Sequence, residues 1–239
     1  MNVYEKKNIG EFIKENPYVG RGIVIGKTGD GEKAAIAYFI MGRSDNSRNR
    51  VFVEKDEGLM IKPFDESKIE DPSLIIYWPV RSIGRTLIVT NGDQTDTIYQ
   101  HISKGSSFVS ALDEREFEPD APNFTPRISG IIDELKENFT YQISILKSLN
   151  LKGEDCARYY FKYPSQQGIG HFIHTYECDG NPLPTFYGEP KTVEIPDSID
   201  ELTDDIWQNL NNENKISLYT RYVDLRTGFS ESRVINKNL

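Results

Sequence analysis

Apolar residues along this chain fall mostly in short β-branched and aromatic runs, broken by clusters of Gly, Pro, Asn and Asp. That pattern predicts strands more often than helices. Segments 19–27 and 34–41 are the most apolar, and the Thr-Gly-Asp-Gly-Glu between them supplies hairpin turn residues. Further strands are expected at 51–54, 59–62, 74–78, 86–90, 127–135, 141–146, 157–163, 171–178, 216–225 and 233–235. Helical spacing appears in three places. Thr95 is placed to cap a helix over 96–104, with Ile98 and Ile102 on one face and Gly105 just past its end. A second helix is expected over 107–117. Ile199, Leu202, Ile206 and Leu210 form an apolar stripe along a third, 197–211. Many antiparallel strands with few helices predict an α+β layered sandwich, two packed sheets with helices outside, in one domain spanning 1–239.

Composition narrows the classes of function. The 239 residues carry 37 Asp and Glu against 28 Lys and Arg, a net charge of −9. That balance argues against a nucleic-acid partner, which needs a net basic face. Two cysteines, Cys156 and Cys178, cannot build a disulfide framework, and with His101, His171 and His174 they give no zinc-ligand spacing. The charged start and the short apolar runs predict a cytoplasmic protein with no membrane segment.

Several motif fragments do not carry the phosphate, dinucleotide or metal chemistry their letters suggest, and structural or substrate-lining roles are expected for His171 and His174. Gly26-Lys27-Thr28 lacks the glycine a P-loop needs, since residue 21 is Arg. The glycines at 29 and 31 lie in a hairpin turn with no helix after it. His171 and His174, three apart on a strand, point to opposite faces and do not converge on a metal.

Three constellations remain. Residues 42–50, Gly-Arg-Ser-Asp-Asn-Ser-Arg-Asn-Arg, place Arg43, Ser44, Arg48 and Arg50 in one loop of an acidic protein. Guanidinium forks there suit a phosphate or carboxylate, and a solvated loop paired with nearby acids is the alternative. Residues 90–97, with Asn91, Asp93 and Thr95, can hold a ribose or phosphate at a helix start, or simply form a capped turn. In 117–127, three prolines stiffen a loop carrying Glu118, Asn123 and Arg127, which can serve proton transfer or a structural ion pair. Tyr77 is the best single phenol candidate.

Read in order, Tyr18-x-Gly20-Arg21, Gly42-Arg43-Ser44 through Asn49-Arg50, Val89-Thr-Asn91-Gly92 with Thr95-Asp96, and Thr125-Pro126-Arg127-Ile128 resemble the archaeal-type IMP cyclohydrolase family over roughly 18–130. The second half offers no comparable match. The resemblance implies a four-layer αββα fold similar to N-terminal-nucleophile hydrolases, without the processed nucleophile. It also implies closure of 5-formamidoimidazole-4-carboxamide ribotide to IMP with loss of water, with no cofactor and no metal. By the same resemblance, Arg43 meets the reacting groups, and Tyr77 with Glu118 moves protons or orients the carboxamide. Arg50 or Arg48 meets the 5′-phosphate. Asn91, Asp93 and Thr95 line sugar and base, Asn123 and Arg127 close the rim, and Arg21 and Ser44 join the substrate-binding set. The loop here is longer than the family pattern, which leaves Arg48 against Arg50 open. Two other readings stand beside the enzyme. One is a non-catalytic purine-ribotide binder of the same fold. The other is an amide hydrolase, which would need Cys, Ser or Thr unmasked at its start. Exposed strand edges of a layered sandwich also admit a homo-oligomer.

Overall fold

The computed structural model describes residues 5–56, 58–68 and 77–239. Its elements run α1 (Ile9–Ile13), β1 (Arg21–Lys27), β2 (Lys33–Met41), α2 (Asp45–Arg48), β3 (Val51–Lys55), β4 (Gly58–Lys62), β5 (Val80–Ile83) and β6 (Thr86–Thr90). Then come α3 (Gln94–Ser103), α4 (Phe108–Asp113), β7 (Arg127–Ile132), β8 (Thr140–Ser148), β9 (Cys156–Pro164) and β10 (Ile169–His174). The chain ends with β11 (Lys191–Glu194), α5 (Ile199–Asn209), β12 (Lys215–Asp224) and β13 (Ser230–Asn236). The class is α+β, built on two antiparallel sheets with few helices.

One sheet has six strands in the order β11-β10-β1-β2-β12-β13; the other has seven in the order β3-β4-β5-β6-β7-β8-β9. Alternation along β1 and β2 explains how they meet. Ile23, Ile25, Ile36, Tyr38 and Ile40 point one way, into a core shared with Val80, Val89, Ile128, Tyr141, Ile143 and Ile145 of the seven-stranded sheet. Val24, Ala35, Ala37 and Phe39 point the other way, beneath α1 and α5, whose Ile9, Ile13, Leu202 and Ile206 complete a second cluster. Ile88, Ile131 and Leu146 pack beneath Ile98 of α3 and Phe108, Ala111 and Leu112 of α4. Both faces of β1 and β2 are therefore covered, which is why their apolar runs are nearly continuous.

Several boundaries differ from the sequence expectation. The 74–78 strand lies, as far as residue 76, outside the described residues; Tyr77 and Trp78 are not in a strand. α3 begins at Gln94 with Asp93 at its N-cap, so Thr95 is already inside the helix. The helix expected over 107–117 spans only Phe108–Asp113, capped by the Ser107 side chain. β10 ends at His174 and does not run on to 178. α1, α2, β5 and β11 were not expected; all are short, with too few residues for a periodic signal. Among the described residues, no helix is long and apolar enough to cross a membrane.

Candidate active site

The strand ends at one edge of the sheet pair open into a cleft of about 410 Å³. Four loops and two strand starts feed it. Arg21 opens β1, behind Gly20, whose φ of 77° favours a residue without a side chain. Arg43 and Ser44 follow β2, and Arg50 directly precedes β3. Tyr77 enters from the segment before β5. Asn91, Gly92 and Asp93 form the turn from β6 into α3, and Glu118, Asp120, Asn123 and Thr125 come from the proline-stiffened loop before Arg127 of β7. Tyr18, Tyr176 and Leu183 also line it.

Deep in the cleft, Arg21 and Arg50 face Tyr77 and Glu118. No hydrogen bond or ion pair joins either guanidinium to another described side chain, and the buried Nε of Arg50 has no hydrogen-bond partner among the described residues. Burial and then the neighbouring Arg21 charge lower the pKa of Arg50. Burial also works to lower Arg21, but Tyr18, Tyr176, Glu118 and Tyr77 outweigh it and hold its pKa up. Burial raises the pKa of Tyr77 against the pull of Arg50 and Arg21. It raises that of Glu118 too, although Arg21, Arg127 and Arg50 pull down. Glu118 keeps 23% of its side chain open toward the cleft. A carboxyl that protonates above the usual range, next to two cations with no described carboxylate hydrogen-bonded to them, has the chemistry that proton transfer needs.

The Tyr77 hydroxyl donates to the Asn91 carbonyl at 2.8 Å and lies 3.1 Å from the Tyr38 hydroxyl. On the floor, Arg127 reaches Gln94 Oε1 and Asp93 Oδ1, each at 2.7 Å, and stands 4.0 Å from Glu118. Asp93 also accepts from Arg115 at 2.5 Å. Burial alone would raise its pKa, yet Arg127 and Arg115 hold that carboxyl below its ordinary value. At the mouth, Arg43 donates to Asp179 at 2.5 Å and to the Gly180 carbonyl at 3.0 Å. Its guanidinium lies 5.1 Å from the Tyr18 ring, which stacks on Tyr176. Across the mouth, Asn123 Oδ1 accepts from the Leu183 amide at 3.0 Å. Residues 179–183 thus form a strap tied to both lips.

The structure brings Arg21, Arg43, Ser44, Arg50, Tyr77, Asn91, Asp93, Glu118, Asn123 and Arg127 to this cleft. It does not bring Arg48 or Thr95 to it. The Arg48 guanidinium binds the Gly42 carbonyl and Asn214, tying α2 to the sheet behind. Thr95 is buried and shares its hydroxyl with Thr90 and the Gly92 carbonyl. Asn91 lines the cleft, but its amide is committed to the Pro126 carbonyl, the Ile128 amide and Gln94. Sequence reasoning missed Tyr176 and Leu183, which lie in the half that carried no motif. It also missed Tyr38, which looks like any core aromatic on a strand. His171 and His174 do face opposite sides of β10. His171 bonds Tyr141 at 2.6 Å between the sheets, and His174 bonds the Tyr176 carbonyl at 2.8 Å. Among the described residues, no three His, Cys, Asp or Glu side chains converge as metal ligands.

Its sequence places the chain among known proteins. The family model described as IMP cyclohydrolase-like protein matches residues 18–228. An IMP cyclohydrolase of Methanococcus aeolicus is 29% identical over 166 residues, covering 67% of this chain and 75% of that protein. IMP cyclohydrolases of Methanocaldococcus jannaschii and Methanopyrus kandleri are 34% and 36% identical. Those two matches cover 49% and 48% of this chain, and 57% and 59% of the relatives, so they span little more than half of either relative. The family match extends beyond residue 130, where the recognisable motifs stopped, and takes in Tyr176, Leu183 and the strands of the second half as far as β12. The chain belongs to the IMP cyclohydrolase-like family.

Proposed function

We propose that this protein closes the purine ring of 5-formamidoimidazole-4-carboxamide ribotide, giving IMP and water. The carrying observation is the convergence of Arg21 and Arg50, free of ion pairs to other described residues, on Tyr77 and Glu118. In the reaction, the carboxamide nitrogen forms a bond to the formyl carbon and loses a proton. The formyl oxygen gains negative charge, then takes up that proton and a second one, released by the formamido nitrogen as it forms the C=N bond to the same carbon. It leaves as water as the C–O bond breaks. The protein's tasks are to fold the two amides into contact, hold the oxyanion and move protons. Glu118 suits proton transfer to and from the amide, Tyr77 the formyl oxygen, and the two guanidinium groups the developing charge.

Placement also favours a division of labour among the arginines. Arg50 lies beside the proton-transfer groups, whereas Arg43 and Ser44 stand at the half-exposed mouth, where a 5′-phosphate remains solvated. We therefore assign Arg21 and Arg50 to the reacting end and Arg43 to the phosphate, reversing the roles the family resemblance suggested for Arg43 and Arg50. Asp93, Asn123 and Arg127 shape the wall between, with Asn91 acting through its backbone. The helix–sheet–sheet–helix packing order supports a four-layer αββα arrangement like that of N-terminal-nucleophile hydrolases. The single core between the sheets supports reading 1–239 as one unit, and we take its place of action to be the cytoplasm.

Incubation with the formamido ribotide, followed by the ultraviolet change on IMP formation, tests the activity. Turnover is expected, and binding without turnover would instead identify a ribotide-binding regulator. Within an active protein, Arg50→Ala lowers kcat and Arg43→Ala raises KM; the opposite split returns the two arginines to the roles first expected.

A further inference from the structure

Tyr38 lies on β2, fully buried in the core between the sheets, and its only polar atom reaches the cleft through one neighbour. The Asn91 carbonyl can only accept, so the Tyr77 hydroxyl spends its proton there. The Tyr77 oxygen then accepts from Tyr38, and the chain runs Tyr38 to Tyr77 to the Asn91 carbonyl. One lone pair of the Tyr77 oxygen is left over, and Tyr77 lines the cleft, so an incoming amide N–H group meets an acceptor of fixed direction. When Tyr77 turns its proton to a developing oxyanion, the Tyr38 hydroxyl still donates to it and stabilises the negative charge left behind. The ring of Tyr38 stacks on Phe52 at 5.5 Å and is held in the core, so the donor is fixed before substrate arrives.

We propose that Tyr38 is a positioning residue for the closure reaction, which fixes the proton direction of Tyr77 and supports its charge through their shared hydrogen bond. This rests on the cyclohydrolase reading. The decisive variant is Tyr38→Phe, which keeps the buried ring and removes only the hydroxyl. A drop of about 10–100-fold in kcat is expected, the size of a hydrogen bond to a group that becomes charged, with KM within about twofold of the parent. The same substitution made in a Tyr77→Phe background produces no further loss, because the effect passes through Tyr77. Independently of turnover, ¹³Cζ-tyrosine spectra at neutral pH, with the Tyr77 signal assigned by its loss in Tyr77→Phe, show that signal displaced in Tyr38→Phe. An unmoved Tyr77 signal overturns the proposal. So does a kcat at the parent value, or an equal loss in both backgrounds. If the unmodified protein closes no ring, the cyclohydrolase reading fails. The Tyr77 signal still decides whether Tyr38 positions Tyr77.

Discussion

Glu118 shows how a single residue can be costly to the fold and useful to the site. Burial favours its neutral form in the folded protein and so raises its pKa above the ordinary 4.5. Unfolded chain gives up that proton more readily. Stability is therefore lost as pH rises from the ordinary value through the folded one, and the loss is complete above it. Glu118→Gln removes the penalty. We expect a higher Tm than the parent at pH 7–8, a gap that closes near pH 4, and a fall in kcat of about 10²–10⁴-fold. Scanning calorimetry at the two pH values with the ring-closure assay checks both halves. Gly92 is the reverse case, a residue whose value is its missing side chain. A Cβ there would lie 2.5 Å from Arg127 Nη1 and 2.5 Å from Gln94 Oε1, wedging apart the pair that braces Asp93. Gly92→Ala should destabilise by about 1–3 kcal/mol, as overpacked sites do, measured by denaturant melts, and weaken ribotide binding with it.

Among the elements, the strap of residues 179–183 is held by the Arg43–Asp179 ion pair and by hydrogen bonds at the Gly180 carbonyl and the Leu183 amide. With Arg43 assigned to the phosphate, as we propose, the ion pair competes with substrate. Asp179 and Arg43 are both well exposed, so their attraction is worth about 0.2–1 kcal/mol. Asp179→Asn releases Arg43 for an anionic ligand, and KM for the ribotide should fall by no more than about fivefold with kcat unchanged. A rise in KM would show that the strap's grip matters more than the freed charge. The strap also marks where the sequence stopped being legible. Long strands announced themselves because both faces of β1 and β2 are buried, and α5 because its apolar stripe is regular. β5 and β11 were too short to show a period. Arg43, Arg50, Tyr77, Glu118 and Arg127 could be read because charged or phenolic groups stand out in short loops. Tyr38, Tyr176 and Leu183 could not, since only the pairing of strands far apart in sequence gives an ordinary core residue a place at the site. Arg48 and Thr95 stay out of the cleft for a related reason: the residue type suits a ligand, but each has a protein partner nearer than the cleft.

At the scale of the whole molecule, the two sheets are joined by more than apolar packing. His171 of the six-stranded sheet stacks on Tyr163 and bonds Tyr141 of the seven-stranded one, and burial lowers its pKa to about 4. Between pH 6.5 and 4 the unfolded chain binds a proton that the folded one refuses, so stability falls on acidification through that window. His171→Phe should flatten the dependence of Tm on pH there. The sheets also differ in how they are threaded. The seven-stranded sheet is a meander, each strand beside its neighbour in sequence, whereas β1 and β2 must find β10 and β12, with Gly22 opposite His174 and Tyr38 opposite Tyr219. Local pairings form quickly and distant ones wait. A chain leaving the ribosome can therefore finish the meander while the β1–β2 hairpin, buried at every position after the first of each strand, still has no lateral partner. That hairpin is the segment a chaperone would hold during synthesis. A chain cut before Ile169 should aggregate through it, and charged substitutions on its faces should restore solubility without restoring the fold.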